Sequence, residues 1–175
     1  MIWAIVLAAG ESRRMGRPKL LLPYGDRTII ETVVQNVVSS RADRVLVVLG
    51  GYRREIEEKI RGFAVKRVIN RRYQEGMLSS VRRGLSALPP SARAAAFILA
   101  DQPEVASSVI DLMIEAYRRE KKGIVLPVYR KKRGALPDKS ELTLLSVRAP
   151  GRRLGRRRAD LRWVRLDPGR RLTGR

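Results

Sequence analysis

Glycines and cations are concentrated in Leu7-Ala8-Ala9-Gly10-Glu11-Ser12-Arg13-Arg14-Met15-Gly16-Arg17-Pro18-Lys19, directly after an apolar run from Ile2 to Leu7. Ala8, Ala9 and Gly10 remove side-chain bulk, so a ligand can lie against the backbone there. Gly10 and Gly16 admit conformations closed to other residues, which lets successive amides turn inward and form a concave site for phosphate oxygens. Arg13 and Arg14 offer forked donors and Lys19 a mobile point charge. The chemistry this combination suits is the holding of a nucleoside triphosphate. Taken alone, it also suits a basic surface turn after a strand.

A second signal is Asp101, followed by Gln102-Pro103 at the end of the apolar run Ala94 to Ala100. A carboxylate at a buried strand's end costs desolvation energy unless something positive meets it. Mg²⁺ bridging Asp101 to triphosphate oxygens would meet that need, and a turn-opening aspartate before Pro103 is the plainer alternative. A third signal is Gly76-Met77-Leu78-Ser79-Ser80, where both hydroxyls fall in the first turn of a helical pattern and can face ribose, base or phosphate, or simply cap the helix. The chain has no histidine and no cysteine. Disulfides, thiolate metal sites and cysteine nucleophiles are therefore excluded, and carboxylates, cations, hydroxyls and backbone must carry any chemistry.

The elements that would position these groups can be read in order. Ile2 to Leu7 predicts a first strand, and Leu20 to Gly25 a short apolar segment closed by turn residues. Thr28-Ile29-Ile30-Glu31 has capping-box spacing and starts a helix whose stripe is Ile29, Ile30, Val33, Val34, Val37 and Val38. Strands follow at Arg44 to Leu49, Ala64 to Ile69, Ala94 to Ala100 and Ile124 to Val128. Between them the spacing predicts helices at Arg53 to Ile60 (Ile56 and Ile60 inward), Met77 to Leu88 (Leu78, Val81, Leu85 and Leu88 inward) and Ser107 to Lys121 (Val109, Leu112, Met113 and Ala116 inward). This alternation predicts one α/β domain, a mostly parallel sheet with helices on both faces and right-handed crossovers. Ligands of such sheets lie outside the carboxyl ends of the strands, so the opening loop and Asp101 should face one space.

The 175 residues bound the chain to one domain, and its formal charge is +21. That excess is uneven: residues 1–128 hold 22 Lys/Arg and 13 Asp/Glu, whereas residues 129–175 hold 16 and 4. The division is therefore a nucleotide-binding core, 1–128, and a divergent arginine-rich segment, 129–175. Three readings of that segment stand together: a divergent acceptor-binding part of the same domain, a basic disordered arm, or the product of a changed reading frame. Trp163 and Val164, with alternating neighbours, favour a strand at a sheet edge. The opening apolar run is too short for a membrane helix or secretory signal, and a cytoplasmic location is the expectation.

Three motifs, Leu7-Ala8-Ala9-Gly10-x-Ser12-x-Arg14-Met15-Gly16-x-Pro18-Lys19, Gly76-Met77-Leu78-Ser79-Ser80-Val81-x-x-Gly84-Leu85 and Leu99-Ala100-Asp101-Gln102-Pro103, together resemble the MobA-like NTP transferases. Within that family the chain looks most like the molybdenum cofactor cytidylyltransferases. The resemblance implies a Rossmann-like domain of the nucleotide-diphospho-sugar transferase type. It implies Mg²⁺-dependent transfer of CMP from CTP to the phosphate of molybdopterin, with release of pyrophosphate. Ala9 is similar to cytidylyl and uridylyl enzymes, whereas guanylyl enzymes usually carry a second glycine there. Carried over by motif, Arg14, Lys19 and Asp101 are the catalytic residues and Asp101 the metal ligand. Leu7, Ala8, Ala9, Gly10, Arg14, Lys19, Gly76, Ser79 and Ser80 form the nucleotide site.

Residues 129–175 depart from that pattern. A Gly-His-Pro element, a Gly-Asp-x-Gly element and a late Asp-x-Asp-Thr-Pro are expected, while the chain has Arg133-Gly134-Ala135-Leu136-Pro137 and Ala149-Pro150-Gly151-Arg152-Arg153. Asp167, in Asp167-Pro168-Gly169, is the candidate second metal carboxylate. The alternatives are transfer to a sugar phosphate or other small phosphate ester, and a catalytically impaired nucleotide binder. The expected partners are an NTP, CTP foremost, and a small phosphate-bearing acceptor; membrane and nucleic acid are not expected, since charge runs are usually solvated faces.

Overall fold

The computed structural model describes residues 1–11, 16–120, 124–127, 143–146 and 163–166. The first strand, β1 (Ile2–Ala8), is buried along nearly its whole length. This is what a continuous apolar run dictates when both faces of a parallel strand are covered. A 3₁₀ turn (Lys19–Leu21) buries Leu20 and leads into a two-residue hairpin, β2 (Pro23–Tyr24) with β3 (Arg27–Thr28). The hairpin was not legible as strand pairing in the sequence.

Thr28 then caps helix α1 (Ile29–Val38), and the capping box is complete. The Thr28 amide and hydroxyl both donate to Glu31 Oε2, at 2.8 and 2.5 Å. The Thr28 hydroxyl bond holds the Glu31 carboxyl below its ordinary pKa, against the opposing effect of burial. A depressed carboxylate pKa stabilises the fold above the unfolded-state value, about 4.3, and that contribution is lost as pH falls through the folded value. Thr28→Ala is expected to cost about 1 kcal/mol near neutral pH. It should also flatten the acid limb of a Tm-against-pH curve below about pH 4.3.

Helix α1 leads to β4 (Arg44–Leu49), α2 (Arg53–Lys59), β5 (Lys66–Ile69), α3 (Met77–Ser86), β6 (Ala94–Leu99) and α4 (Ser107–Glu120). Strands β7 (Ile124–Pro127), β8 (Thr143–Ser146) and β9 (Trp163–Leu166) follow. Among the described residues the large sheet runs β5-β4-β1-β6-β8-β7-β9. Strand β8 is antiparallel to both its neighbours, and the remaining pairings are parallel. The sheet is thus mostly parallel as expected, with one reversed strand that the sequence pattern did not reveal. The edge strand expected at Trp163-Val164 is present as β9, in parallel register with β7.

Helices cover both faces. Alternate residues of β1 (Ile2, Ala4, Val6 and Ala8) pack with Ile30, Val34, Ile56, Ile110 and Met113 of α1, α2 and α4 and with Ile60 just past α2. The opposite residues, Trp3 and Ile5, pack with Leu46, Val48, Val68 and Phe97 beneath Val81 and Leu85 of α3. Helix α3 can lie close because Gly84 has no side chain: a Cβ there would stand 2.9 Å from Ile5 Cγ2.

Two helical faces differ from expectation. Leu78 is 58% exposed and Leu112 39% exposed, so neither belongs to the core. In α4 the buried positions are Ile110, Met113, Ile114 and Ala116, which rotates the inward stripe by one residue. In α3 the inward line runs through Ser80 and Gly84 because the helix rests on small residues.

Candidate active site

Strand β1 leads outward to β4 and β5 on one side, and the chain then crosses back to β6 on the other. The carboxyl ends of β1 and β6 therefore flank a topological switch point, where open α/β sheets bind ligands. Their pairing continues past the strands, since the Ala100 amide donates to Leu7 O at 3.3 Å. Leu7, Ala8, Ala9 and Gly10 are thereby set beside Ala100 and Asp101.

Lys19 and Asp101, 82 residues apart, meet at this point: Lys19 Nζ donates to Asp101 Oδ2 at 3.0 Å. The side chains are 38% and 46% exposed, so the pair is open to solvent at the carboxyl end of the sheet. The expectation that the loop and Asp101 share one space is met. The pair itself adds little stability, because at this exposure such bridges contribute about 0–1 kcal/mol. The loop carrying Asp101 is fastened from behind by Asn36 of α1, whose Nδ2 donates to the carbonyls of Pro103 and Val105, each at 3.1 Å. Asn36 was not legible as a site residue, since nothing in its helical stripe marks it.

On the other flank, the chain after β5 forms a 3₁₀ turn (Tyr73–Glu75) and enters α3 through Gly76 at φ 94°, a conformation open to glycine. Ser79 and Ser80 both accept from Asn70 Nδ2, at 2.8 and 3.0 Å. The Ser79 hydroxyl reaches the carbonyls of Arg72 and Gly76, each at 2.8 Å. Asn70 Oδ1 also accepts from the Arg72 amide at 3.0 Å, so one buried asparagine organises the turn that presents Gly76. Ser80 is itself buried, and Ser79 lies nearer solvent.

The loops after β1, β4 and β5 interlock. The Gly51 amide donates to Ala9 O at 3.2 Å, and a Cβ on Gly50 would stand 2.6 Å from that oxygen and 2.8 Å from Tyr73 Cβ. Glycine at position 50 is thus required by contact on two sides. Arg13 and Arg14, and Ser12 between Glu11 and them, lie outside the described residues, as do Val128 and Asp167.

A family model for the MobA-like NTP transferase domain matches residues 4–165. The chain belongs to that family. This nucleotidyltransferase domain is 28% identical over 124 residues to the bifunctional protein GlmU of Francisella tularensis subsp. novicida (strain U112). That match covers 69% of the chain and 26% of GlmU, so the chain spans about a quarter of the length of the curated relatives it matches. Among solved structures it is similar to the Mycobacterium tuberculosis Rv0371c homolog from Mycobacterium sp. strain JC1, at 27% identity and TM-score 0.71, over 95% of this chain and 86% of that one. It is also similar to a nucleotidyl transferase from Methanothermobacter thermautotroptrophicus, at 26% identity and TM-score 0.61, over 83% and 71% of the two chains.

The domain's donor set bears on a metal. Asp101 offers a hard carboxylate oxygen at the crevice, and no group of three or more His, Cys, Asp or Glu able to hold a metal occurs among the described residues. One carboxylate fits Mg²⁺ that arrives with a triphosphate, because this ion keeps several waters and takes one or two carboxylates plus substrate phosphates. Among the described residues, no helix is long and apolar enough to cross a membrane.

Proposed function

We propose that the chain transfers CMP from CTP to the phosphate of molybdopterin, releasing pyrophosphate. The observation that carries this reading is the meeting of Lys19 with Asp101 beside Ala8-Ala9-Gly10 at the switch point. Cation, carboxylate and small-residue loop are the three groups a triphosphate needs in one place. Lys19 and Arg14 bind the triphosphate in this reading, Asp101 holds Mg²⁺, and the chain through Leu7, Ala8, Ala9, Gly10, Gly76, Ser79 and Ser80 receives the nucleoside. The preference for CTP rests on Ala9, which keeps the form of the motif similar to cytidylyl and uridylyl enzymes rather than guanylyl ones.

An oxygen of the acceptor phosphate attacks the α-phosphorus of CTP, a new P–O–P link forms, and the bond from the α-phosphorus to the bridging oxygen breaks as pyrophosphate leaves. The acceptor phosphate has a second pKa of about 6 and is already a dianion near neutral pH. A chain without histidine therefore needs no general base for this step. Its work is alignment and charge neutralisation. Bound Mg²⁺ supplies neutralisation of the triphosphate charge. Lys19 adds a mobile cation once it turns from Asp101 to the phosphates.

Pyrophosphate release measured with each of the four NTPs, across molybdopterin, sugar 1-phosphates and other small phosphate esters, tests the reading. Turnover with CTP and molybdopterin is expected. Turnover confined to a sugar phosphate would move the acceptor, and CTP binding without turnover on any acceptor would make the chain a nucleotide binder. Residues 129–175 are read as the acceptor-covering part of the same domain.

A further inference from the structure

Glu11 is out of place by charge. It follows Gly10 directly, in the loop read above as the triphosphate site, where a carboxylate would repel phosphate oxygens. Its geometry gives it a different task. The Tyr73 hydroxyl donates to Glu11 Oε1 at 2.7 Å, and Gln74 Nε2 reaches the same oxygen at 3.4 Å. The stem of Glu11 crosses Gly51 so closely that a Cβ there would stand 2.7 Å from Glu11 Cγ. The residue is thus held between the loops that follow β4 and β5, with its Oε1 bonded to the β5 loop. That loop ends at Gly76, from which α3 presents Ser79 and Ser80.

We propose that Glu11 is a positioning residue for nucleotide binding, tying the Ala8–Gly10 loop to the Tyr73–Gly76 turn so that both walls of the nucleotide site are set before the nucleotide arrives. The inference rests on the proposed function for its ligand. Sixty-two residues separate Glu11 from Tyr73, and the loops they belong to are joined at Glu11 by a charge-assisted bond. Without it, binding must also order one loop against the other, and that ordering is subtracted from affinity. Glu11→Gln keeps an oxygen that can accept from Tyr73, so it should preserve the tie. Glu11→Ala and Tyr73→Phe each remove it.

Calorimetric titration of CTP in the presence of Mg²⁺, without acceptor, tests this. The Kd for CTP is expected to rise about tenfold in Glu11→Ala and in Tyr73→Phe, equivalent to about 1.4 kcal/mol. The double variant should be no weaker than either single one, and Glu11→Gln should stay within about threefold of the unmodified protein. In the nucleotide-free protein, hydrogen exchange should speed up for amides 72–79 in Glu11→Ala while α4 is unaffected. Unchanged CTP affinity in both single variants, or additive losses in the double variant, would overturn the positioning role. A loss in Glu11→Gln equal to that in Glu11→Ala would overturn it too, pointing to the charge itself. Tyr73→Phe alters one oxygen atom and keeps the test open if Glu11→Ala folds poorly. Failure of the unmodified protein to bind any NTP would instead remove the nucleotidyltransferase reading, and the positioning role with it.

Discussion

Asp101→Asn is expected to slow nucleotidyl transfer by about 10³-fold, close to 4 kcal/mol of transition-state stabilisation, while the fold survives. Asp101 is nearly half exposed, and among the described residues its bond is to Lys19, itself open to solvent. Replacing its carboxylate by an amide therefore leaves no buried group unsatisfied, and stability should change by no more than about 0.5 kcal/mol. The chemistry is another matter. An amide has no net charge to oppose a metal, so the ion would be held at the triphosphate by phosphate oxygens alone. Pyrophosphate release at saturating Mg²⁺ and NTP measures the rate, and a thermal melt checks the fold. A rate within threefold of the unmodified protein would place the metal carboxylate elsewhere.

Lys19→Ala is expected to lower kcat/KM for the nucleotide by about 10²-fold, with most of the loss in kcat. The Lys19 ammonium is partly open to solvent on a 3₁₀ turn anchored by buried Leu20. The turn should persist without the side chain, since its backbone bonds, Leu21 N to Pro18 O and Leu22 N to Lys19 O, do not involve Nζ. What is lost is a donor that can follow charge as it moves to the leaving pyrophosphate. Lys19→Arg should recover only part of the activity, because a planar fork does not replace a compact, mobile charge. Steady-state kinetics over a range of NTP concentrations separates the two parameters. A rise in KM with unchanged kcat would confine Lys19 to ground-state binding.

Much of the frame could be read from residue order because the signals were local. Three of the five expected strands, β1, β4 and β6, are buried apolar runs closed by glycine or aspartate, and Thr28 and Glu31 are three residues apart. The meeting of Lys19 with Asp101 was legible at one remove, since the end of each parallel strand opens on the same edge. The remainder depended on contacts between distant residues. Nothing near Glu11 announces Tyr73, and nothing near Asn36 announces the Pro103 and Val105 carbonyls it holds. Leu78 and Leu112 are apolar yet exposed, since α3 meets the sheet through Ser80 and Gly84 and α4 through isoleucines and Met113, so residue type alone does not give their burial. Strand β8 escaped notice because Thr143–Ser146 is four residues long and the chain reaches it in the reverse sense.

Under the proposed function, the pairing of Lys19 with Asp101 has a consequence for the solutes the site turns away. Free phosphate that would take Lys19 must first draw it from Asp101, and a free divalent cation that would take Asp101 must displace an ammonium. Each lone ion breaks one contact for each it makes, and at this exposure the discouragement amounts to a few-fold in affinity. A triphosphate travelling with its cation brings a partner for both side chains at once. In the function proposed above, the pair would act as a filter of modest strength, favouring the complete metal–nucleotide complex over either component in the surrounding solution.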